Sequence, residues 1–189
     1  MRFYDMAPLA ELERAAGLAE GTTARVAFAP EVDLPLLLGQ ITKKEWVDSI
    51  ASVLSDQVPQ MCARQLGMAL ADAPFRADDA VVTLLRLVRR HMPLVLVTNA
   101  TLELERDLET MGLADLADHV VSSARVGVAK PDRKIYEIAA RRAGTAVSRC
   151  LFVDDRLENV EAANSLGMTG VHYRELADLQ KALSSVLDS

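Results

Sequence analysis

Apolar positions along this chain follow two different rhythms, and the change falls near Pro74. Before it the spacing is helical only. Residues 11–18 make a short amphipathic segment that runs out at Gly17. A second helix carries Trp46, Ile50, Val53 and Leu54, and a third covers residues 61–70. Thr42 followed three positions later by Glu45 predicts a capping box, because hydroxyl and carboxylate can each accept an N–H that the first turn leaves unpaired. Pro30, Pro35 and Pro59 punctuate these pieces.

After Pro74, helices alternate with short apolar runs. Asp78 is placed to cap a helix bearing Val81, Val82, Leu84, Leu85 and Val88. Leu94-Val95-Leu96-Val97 is apolar throughout, as a strand covered on both faces must be. A helix over residues 102–111 ends at Gly112, and His119-Val120-Val121 is a weak strand. Asp132 caps a helix over 133–143 that stops at Gly144. Leu151-Phe152-Val153 is a second strong strand, followed by a helix ending near Gly167. Gly170-Val171-His172-Tyr173 makes a last strand and 176–187 a closing helix. Strands alternating with helices at this spacing require right-handed crossovers and a parallel sheet. The expected fold class is therefore α/β, doubly wound, behind an all-helical segment 1–74, with the α/β core over 75–189.

Composition narrows the function. Half of the 189 residues are apolar and a quarter charged, which is globular, and a net charge of −6 argues against a broad nucleic-acid surface. No apolar run approaches the roughly 20 residues of a membrane span, and no secretory signal opens the chain. With aromatics at 4%, the core must be built from aliphatic side chains and Ala. Cys62 and Cys150 are too few for a disulfide framework or a zinc site, and Cys150 reads as a small core residue. These features together point to a reducing, cytoplasmic setting.

Doubly wound sheets collect their reactive groups at the carboxyl ends of the strands. Here one strong strand ends in Thr98-Asn99-Ala100 and the other in Asp154-Asp155, with Ala129-Lys130-Pro131-Asp132 in a loop between them. Adjacent carboxylates at the mouth of a strand repel unless a cation offsets them, and Lys130 or Mg²⁺ could do so. Hydroxyl, ammonium and magnesium all oppose the charge of a phosphoryl group.

At these residues the chain resembles the haloacid dehalogenase-like hydrolase superfamily. Val95-Leu96-Val97-Thr98-Asn99-Ala100 is similar to its second motif, and Val128-Ala129-Lys130-Pro131-Asp132 with Ile135-Tyr136 to its third. Phe152-Val153-Asp154-Asp155, then Asn159, Ala162, Ala163 and Gly167-Met168, is similar to its fourth. The helical first part resembles the family's small four-helix cap, with Gly39-Gln40-Ile41-Thr42 and Trp46 near its usual opening. The resemblance implies that Thr98 holds phosphoryl oxygens beside Asn99, that Lys130 steadies nucleophile and phosphoaspartate, and that Asp154 and Asp155 hold Mg²⁺. It implies a phosphatase of small phosphorylated metabolites, because the family's dehalogenases work without magnesium and usually lack the Asp-Asp pair.

The family's first motif, Asp-x-Asp-x-Thr or -Val, supplies nucleophile and general acid, and it occurs nowhere in this chain. Asp5 in Phe3-Tyr4-Asp5-Met6-Ala7-Pro8 is a weak candidate, since Ala7 stands where the acid belongs. By the family's spacing the nucleophile lies a few positions before Met1, so the expectation is a start shortened past the first motif and a chain inactive as given. Removing that central strand leaves the strands ending at Thr98 and Asp154 with facing unpaired edges. Residues 1–6, a partner chain or distorted packing would then close the gap, and open edges favour a homodimer. The competing expectations are a degenerate, non-catalytic binding protein and a metal-independent dehalogenase; a receiver-type domain fits the helical third poorly. His91, His119 and His172 have no metal-ligand spacing, and Arg156 is expected to pair with the acidic pair. Arg25, Phe28 and Trp46 are the helical residues placed to reach a substrate if the cap closes.

Overall fold

The structure, a computed structural model, describes residues 2–187. The chain divides into two compact units, residues 1–77 and 78–189.

The first unit is built on five helices: α1 (Ala7–Ala15), α2 (Thr22–Ala27), α3 (Pro30–Leu37), α4 (Lys43–Leu54) and α5 (Gln60–Ala71). Thr42 and Glu45 close the capping box at α4, with Glu45 N donating to Thr42 Oγ1 at 3.2 Å and Thr42 N to Glu45 Oε2 at 2.7 Å. The apolar faces of α4 and α5 meet around Ile50, Leu54, Ala63 and Leu66, all essentially solvent-free. Gly67 lets the two helices approach closely, since a Cβ there would stand 3.3 Å from Val47 Cγ1 and from its carbonyl oxygen. Glu13 is buried and accepts from Gly21 N and Thr23 N, which fixes the loop entering α2.

One feature departs from the helical pattern. Arg2–Tyr4 forms a strand, β1, antiparallel to β2 (Phe75–Ala77). At three residues each, both are too short to show alternation. Their pairing draws the end of the first unit to Ala77 and answers one expectation directly: residues 2–4 bond to β2 and do not fill a gap in the parallel sheet. Met1 lies outside the described residues.

The second unit runs α6 (Asp79–Val88), β3 (Val95–Thr98), α7 (Leu104–Thr110), β4 (His119–Ser122), α8 (Ser123–Val126) and α9 (Arg133–Arg142). A 3-10 turn, β5 (Leu151–Asp154), α10 (Leu157–Ser165), β6 (Thr169–His172) and α11 (Leu176–Leu187) follow. Asp78 caps α6 through Ala80 N and Val81 N, and Asp132 caps α9 through Lys134 N. β3 pairs in parallel with β4, and β5 in parallel with β6, as two separate two-stranded sheets. Ile135, Tyr136, Ala139 and Ala140 of α9 join Val121 and Phe152 in one core, with Val95 and Val97 packed against it. A second core lies between α6 and α11, on Val81, Leu84, Val88, Leu179 and Leu183.

β3 and β5 are not joined; each has one pairing partner among the described residues, on one side only.

Candidate active site at the strand ends

β3 and β5 bring their carboxyl-terminal ends to one locality, and Lys130 ties them together. Its ammonium donates to Val97 O at the end of β3 (3.0 Å) and to Asp154 Oδ2 at the end of β5 (2.6 Å). Both side chains are withdrawn from water, with 11% of Lys130 and 5% of Asp154 exposed. The loop carrying Lys130 is itself fixed to β3. Asn99 Nδ2 donates to Lys130 O at 3.0 Å, and Lys130 N donates to Asn99 Oδ1 at 2.7 Å. A reciprocal pair of this kind sets both distance and orientation, so Asn99 positions the backbone from which the ammonium extends. Phe152 lies below, with its ring centroid 5.9 Å from the ammonium, within cation–π range.

Asp154 is the most heavily bonded group here. Besides Lys130 on Oδ2, its Oδ1 accepts from Arg156 N at 2.8 Å and from Asn159 Nδ2 at 3.0 Å. Burial pushes this carboxyl up, but the Lys130 charge and hydrogen bond, with Asn159 and Arg156 N, outweigh it and hold it below the usual carboxylate range. Asn159 is anchored in turn, since Tyr136 OH donates to Asn159 O at 2.9 Å. Burial, together with the charges of Asp154 and Glu158, pushes the Tyr136 phenol up to about 12, so it stays a donor. Tyr136 also meets Phe152 edge to face at 5.0 Å.

Thr98 stands half-buried at the end of β3, opposite Ser122 in the register. Ser123 is fully buried, and its hydroxyl both receives Ala100 N at 3.0 Å and donates to Ala100 O, which pins the loop after Thr98. Asp155 is exposed, and its carbonyl meets His172 Nε2 at 3.0 Å.

The expected residues thus assemble in part. Asn99 and Asp154 are joined through Lys130 by hydrogen bonds, Thr98 follows Val97, whose carbonyl Lys130 holds, and Asp155 follows Asp154 in the chain. Asp5 belongs to the first unit, where its carboxylate accepts Ala7 N at 3.0 Å at the start of α1 and its own N–H donates to Pro74 O. Arg156 departs from expectation: its guanidinium pairs with Glu158 at 2.8 Å, and only its backbone N–H serves Asp154. Trp46 is buried in the core of the first unit, whereas Phe28 is exposed. Cys150 is half-buried, and burial pushes its thiol up. Beneath the site lie Tyr136 and Phe152, which the motif resemblance included without a role, and Ser123, which sequence reasoning missed. The signal for Ser123 was a hydroxyl doublet, Ser122-Ser123, closing an apolar strand.

Whether the site suits Mg²⁺ turns on its carboxylates. Lys130 already supplies the positive charge that Asp154 needs, and among the described residues no three of His, Cys, Asp and Glu gather as a cage. Three hydrogen bonds leave Asp154 about one acceptor direction of four, and Asp155 is open to water. Mg²⁺ usually takes one or two protein carboxylates and completes its shell with water and substrate oxygens, so the remaining acceptor direction on Asp154 is compatible with a share in that shell.

The doubly wound α/β unit thus brings a hydroxyl, an ammonium and an acidic pair to its strand ends. The comparisons carry this to a family. The model for haloacid dehalogenase-like hydrolase matches residues 9–167, so the chain belongs to that family. It is 29% identical to phosphatase MT3486 of Mycobacterium tuberculosis over 164 residues, 85% of this chain and 71% of that protein. It is 43% identical to the sesquiterpene phosphatase astK of Aspergillus oryzae over 61 residues, 32% of this chain and 31% of that protein. The chain therefore spans about a third of one relative's length and seven tenths of the other's. Among solved structures, the HAD family enzyme bt-2542 of Bacteroides thetaiotaomicron matches with a TM-score of 0.73 over 97% of this chain and 93% of that one. At 17% identity the likeness is one of fold. Another structure of that enzyme holds magnesium and inorganic phosphate. Among the described residues no helix is long and apolar enough to cross a membrane.

Proposed function

We propose that this chain carries the cap and catalytic-core residues of a magnesium-dependent phosphatase for small phosphorylated metabolites. The helical unit is the cap. Thr98 donates to the phosphoryl oxygens and Lys130 opposes their charge from a position fixed by Asn99. Asp154 and Asp155 hold Mg²⁺, which when bound adds further positive charge against the phosphoryl group. The reaction passes through an aspartyl-phosphate whose carboxylate is not among the residues gathered here, so this chain binds phosphate without turning substrate over. The observation that supports the reading most is Lys130, held buried between Val97 O and Asp154 Oδ2 at the ends of the two strands. The phosphatase relatives agree with it.

Calorimetric titration with inorganic phosphate tests it. Binding is expected only with Mg²⁺ present, and it should weaken at least tenfold in Thr98→Val and in Asp155→Asn. No phosphate binding under any condition would overturn the reading. Turnover of p-nitrophenyl phosphate that disappears in Asp154→Asn would overturn the non-catalytic part of it.

A further inference from the structure

At the end of β3 away from Lys130, three arginines of the second unit gather around a cleft that the phosphatase reading leaves unused. Arg86 lies in the last turn of α6, Arg89 caps that helix and Arg90 comes next. The chain then turns into β3, so this end of α6 stands by the amino ends of β3 and β4, whereas Thr98 and Lys130 mark the carboxyl end of β3. Arg86, Arg89, Arg90 and Asp115 line a cleft of about 440 Å³, within the roughly 300–1,000 Å³ of small-ligand sites.

The three guanidiniums are held to different degrees. Arg89 Nε donates to Asp118 Oδ1 at 2.9 Å, and a terminal N–H of Arg89 donates to Asp115 O. Asp118 is itself fixed by Leu94 N at 2.8 Å, so Arg89 is set in place from the starts of β3 and β4. Arg86 donates to Gly112 O at 3.3 Å, and the Asp115 carboxylate stands 3.7 Å from it, outside hydrogen-bond range. The Arg90 side chain has no hydrogen bond or ion pair among the described residues. A guanidinium carries five N–H donors, so Arg86 and Arg89 also keep donors for a ligand.

Charge makes this arrangement unfavourable when the cleft holds only water. Arg86 meets Arg89 and Arg90 at spacings of three and four along the chain, where like charges on a helix repel. The helix dipole favours a cation at this end of α6, but it does not cancel repulsion among three of them. Asp118 answers Arg89 alone, and the lining carboxylate, Asp115, is 80% exposed. An oxyanion seated among the guanidiniums removes the repulsion. None of the four lining residues is apolar or aromatic, so the part of the ligand recognised here is charged throughout.

We propose that this cleft binds a small polyanion carrying two neighbouring oxyanion groups, of the diphosphate type. Arg86 and Arg90 hold one group and the spare donors of Arg89 hold the other, since the planar fork of a guanidinium suits phosphate oxygens. Arg86 and Arg89 are anchored before the ligand arrives, so binding has to order chiefly the Arg90 side chain. Asp115 opposes the ligand's charge and keeps it exchangeable. The cleft needs no Mg²⁺ and no residue of the strand ends that carry Lys130, so the inference stands or falls separately from the phosphatase reading.

The test is NMR of the arginine Nε–Hε groups in the full chain, titrated with pyrophosphate in EDTA at physiological ionic strength. The Arg86, Arg89 and Arg90 signals should move together along one saturating curve, while those of the exposed Arg25 and Arg106 move far less. Arg90→Ala, which breaks no side-chain hydrogen bond or ion pair of the free chain, should weaken binding at least fivefold. Asp115→Asn should tighten it at least twofold, and Thr98→Val should leave it unchanged. Any of five results overturns the proposal: no saturation, equal shifts at Arg25 and Arg106, full affinity in Arg90→Ala, no gain in Asp115→Asn, or lost binding in Thr98→Val. The second would show diffuse screening of surface charge, and the last would put pyrophosphate at the carboxyl end of β3.

Discussion

Lys130 and Asp154 form the most consequential residue pair in the chain, because each is almost completely withdrawn from water. Removing one partner from such a pair leaves a buried charge unopposed, at a cost of about 3–5 kcal/mol. Lys130→Met should therefore lower the urea midpoint sharply, and Asp154→Asn should do the same. The double variant should lose much less than the sum, because neither charge is then stranded. A double-mutant cycle read from urea unfolding checks this, and an additive result would show that the pair contributes no coupling. The Lys130–Asp154 link was legible in advance only as a requirement that adjacent carboxylates find a cation. Its anchors were not. Nothing about a tyrosine six positions after a lysine announces that its hydroxyl will hold Asn159 O from the neighbouring helix. Tertiary contacts decide that, and residue types carry no record of them.

At the scale of elements, the termini that rest on local chemistry were readable and those that rest on long-range contact were not. Thr42, Asp78 and Asp132 cap their helices as their positions suggest, because a side-chain oxygen meeting an N–H two or three residues on depends only on nearby backbone. β1 and β2 pair across seven tens of residues, which no local pattern encodes. Gly170 shows the same limit. It lies in β6, where a Cβ would stand 2.6 Å from Asn164 Oδ1 and 2.9 Å from Val160 Cγ1 of α10. Asn164 cannot swing aside without losing its bond to Gly170 N, and Val160 is stiff in its helix. Gly170→Ala should cost about 1–3 kcal/mol by overpacking, measurable as a lowered urea midpoint.

Asp118 joins elements in another way. It accepts Leu94 N at 2.8 Å and Arg89 Nε at 2.9 Å, so one carboxylate ties the start of β3 to the end of α6 and the start of β4. The Leu94 N–H and then Arg89 hold its carboxyl below the ordinary range. A depressed folded value means the unfolded chain takes up the proton first as pH falls. The stabilisation is then complete above the ordinary carboxylate value near 4 and drains away as pH drops through the lowered one. Asp118→Asn should flatten the acid limb of the stability curve and lower stability at neutral pH. Unfolding midpoints from pH 7 down to pH 3 test the sign, and an unchanged acid limb would refute it.

Across the whole molecule, the division into two units rests on separate cores. One is centred on Ile50, Leu54 and Leu66, and the others on Val121, Ile135 and Phe152 and on Leu84, Val88 and Leu183. The change of rhythm near Pro74 foreshadowed that division because it is itself a change in what each segment buries. Its displacement to Ala77 comes from β2, which bonds back to β1. A cavity made in one core should therefore weaken that unit's own hydrogen bonds. Ile50 is wholly inaccessible to solvent, and Ile50→Ala removes three carbons from between α4 and α5, at about 2–5 kcal/mol. Hydrogen exchange read peptide by peptide should then speed up across α4 and α5, while protection at β5, β6 and α10 stays as in the parent. Faster exchange spread equally over both units would mean that they open as one cooperative body, and that the helical unit has no stability of its own to lose.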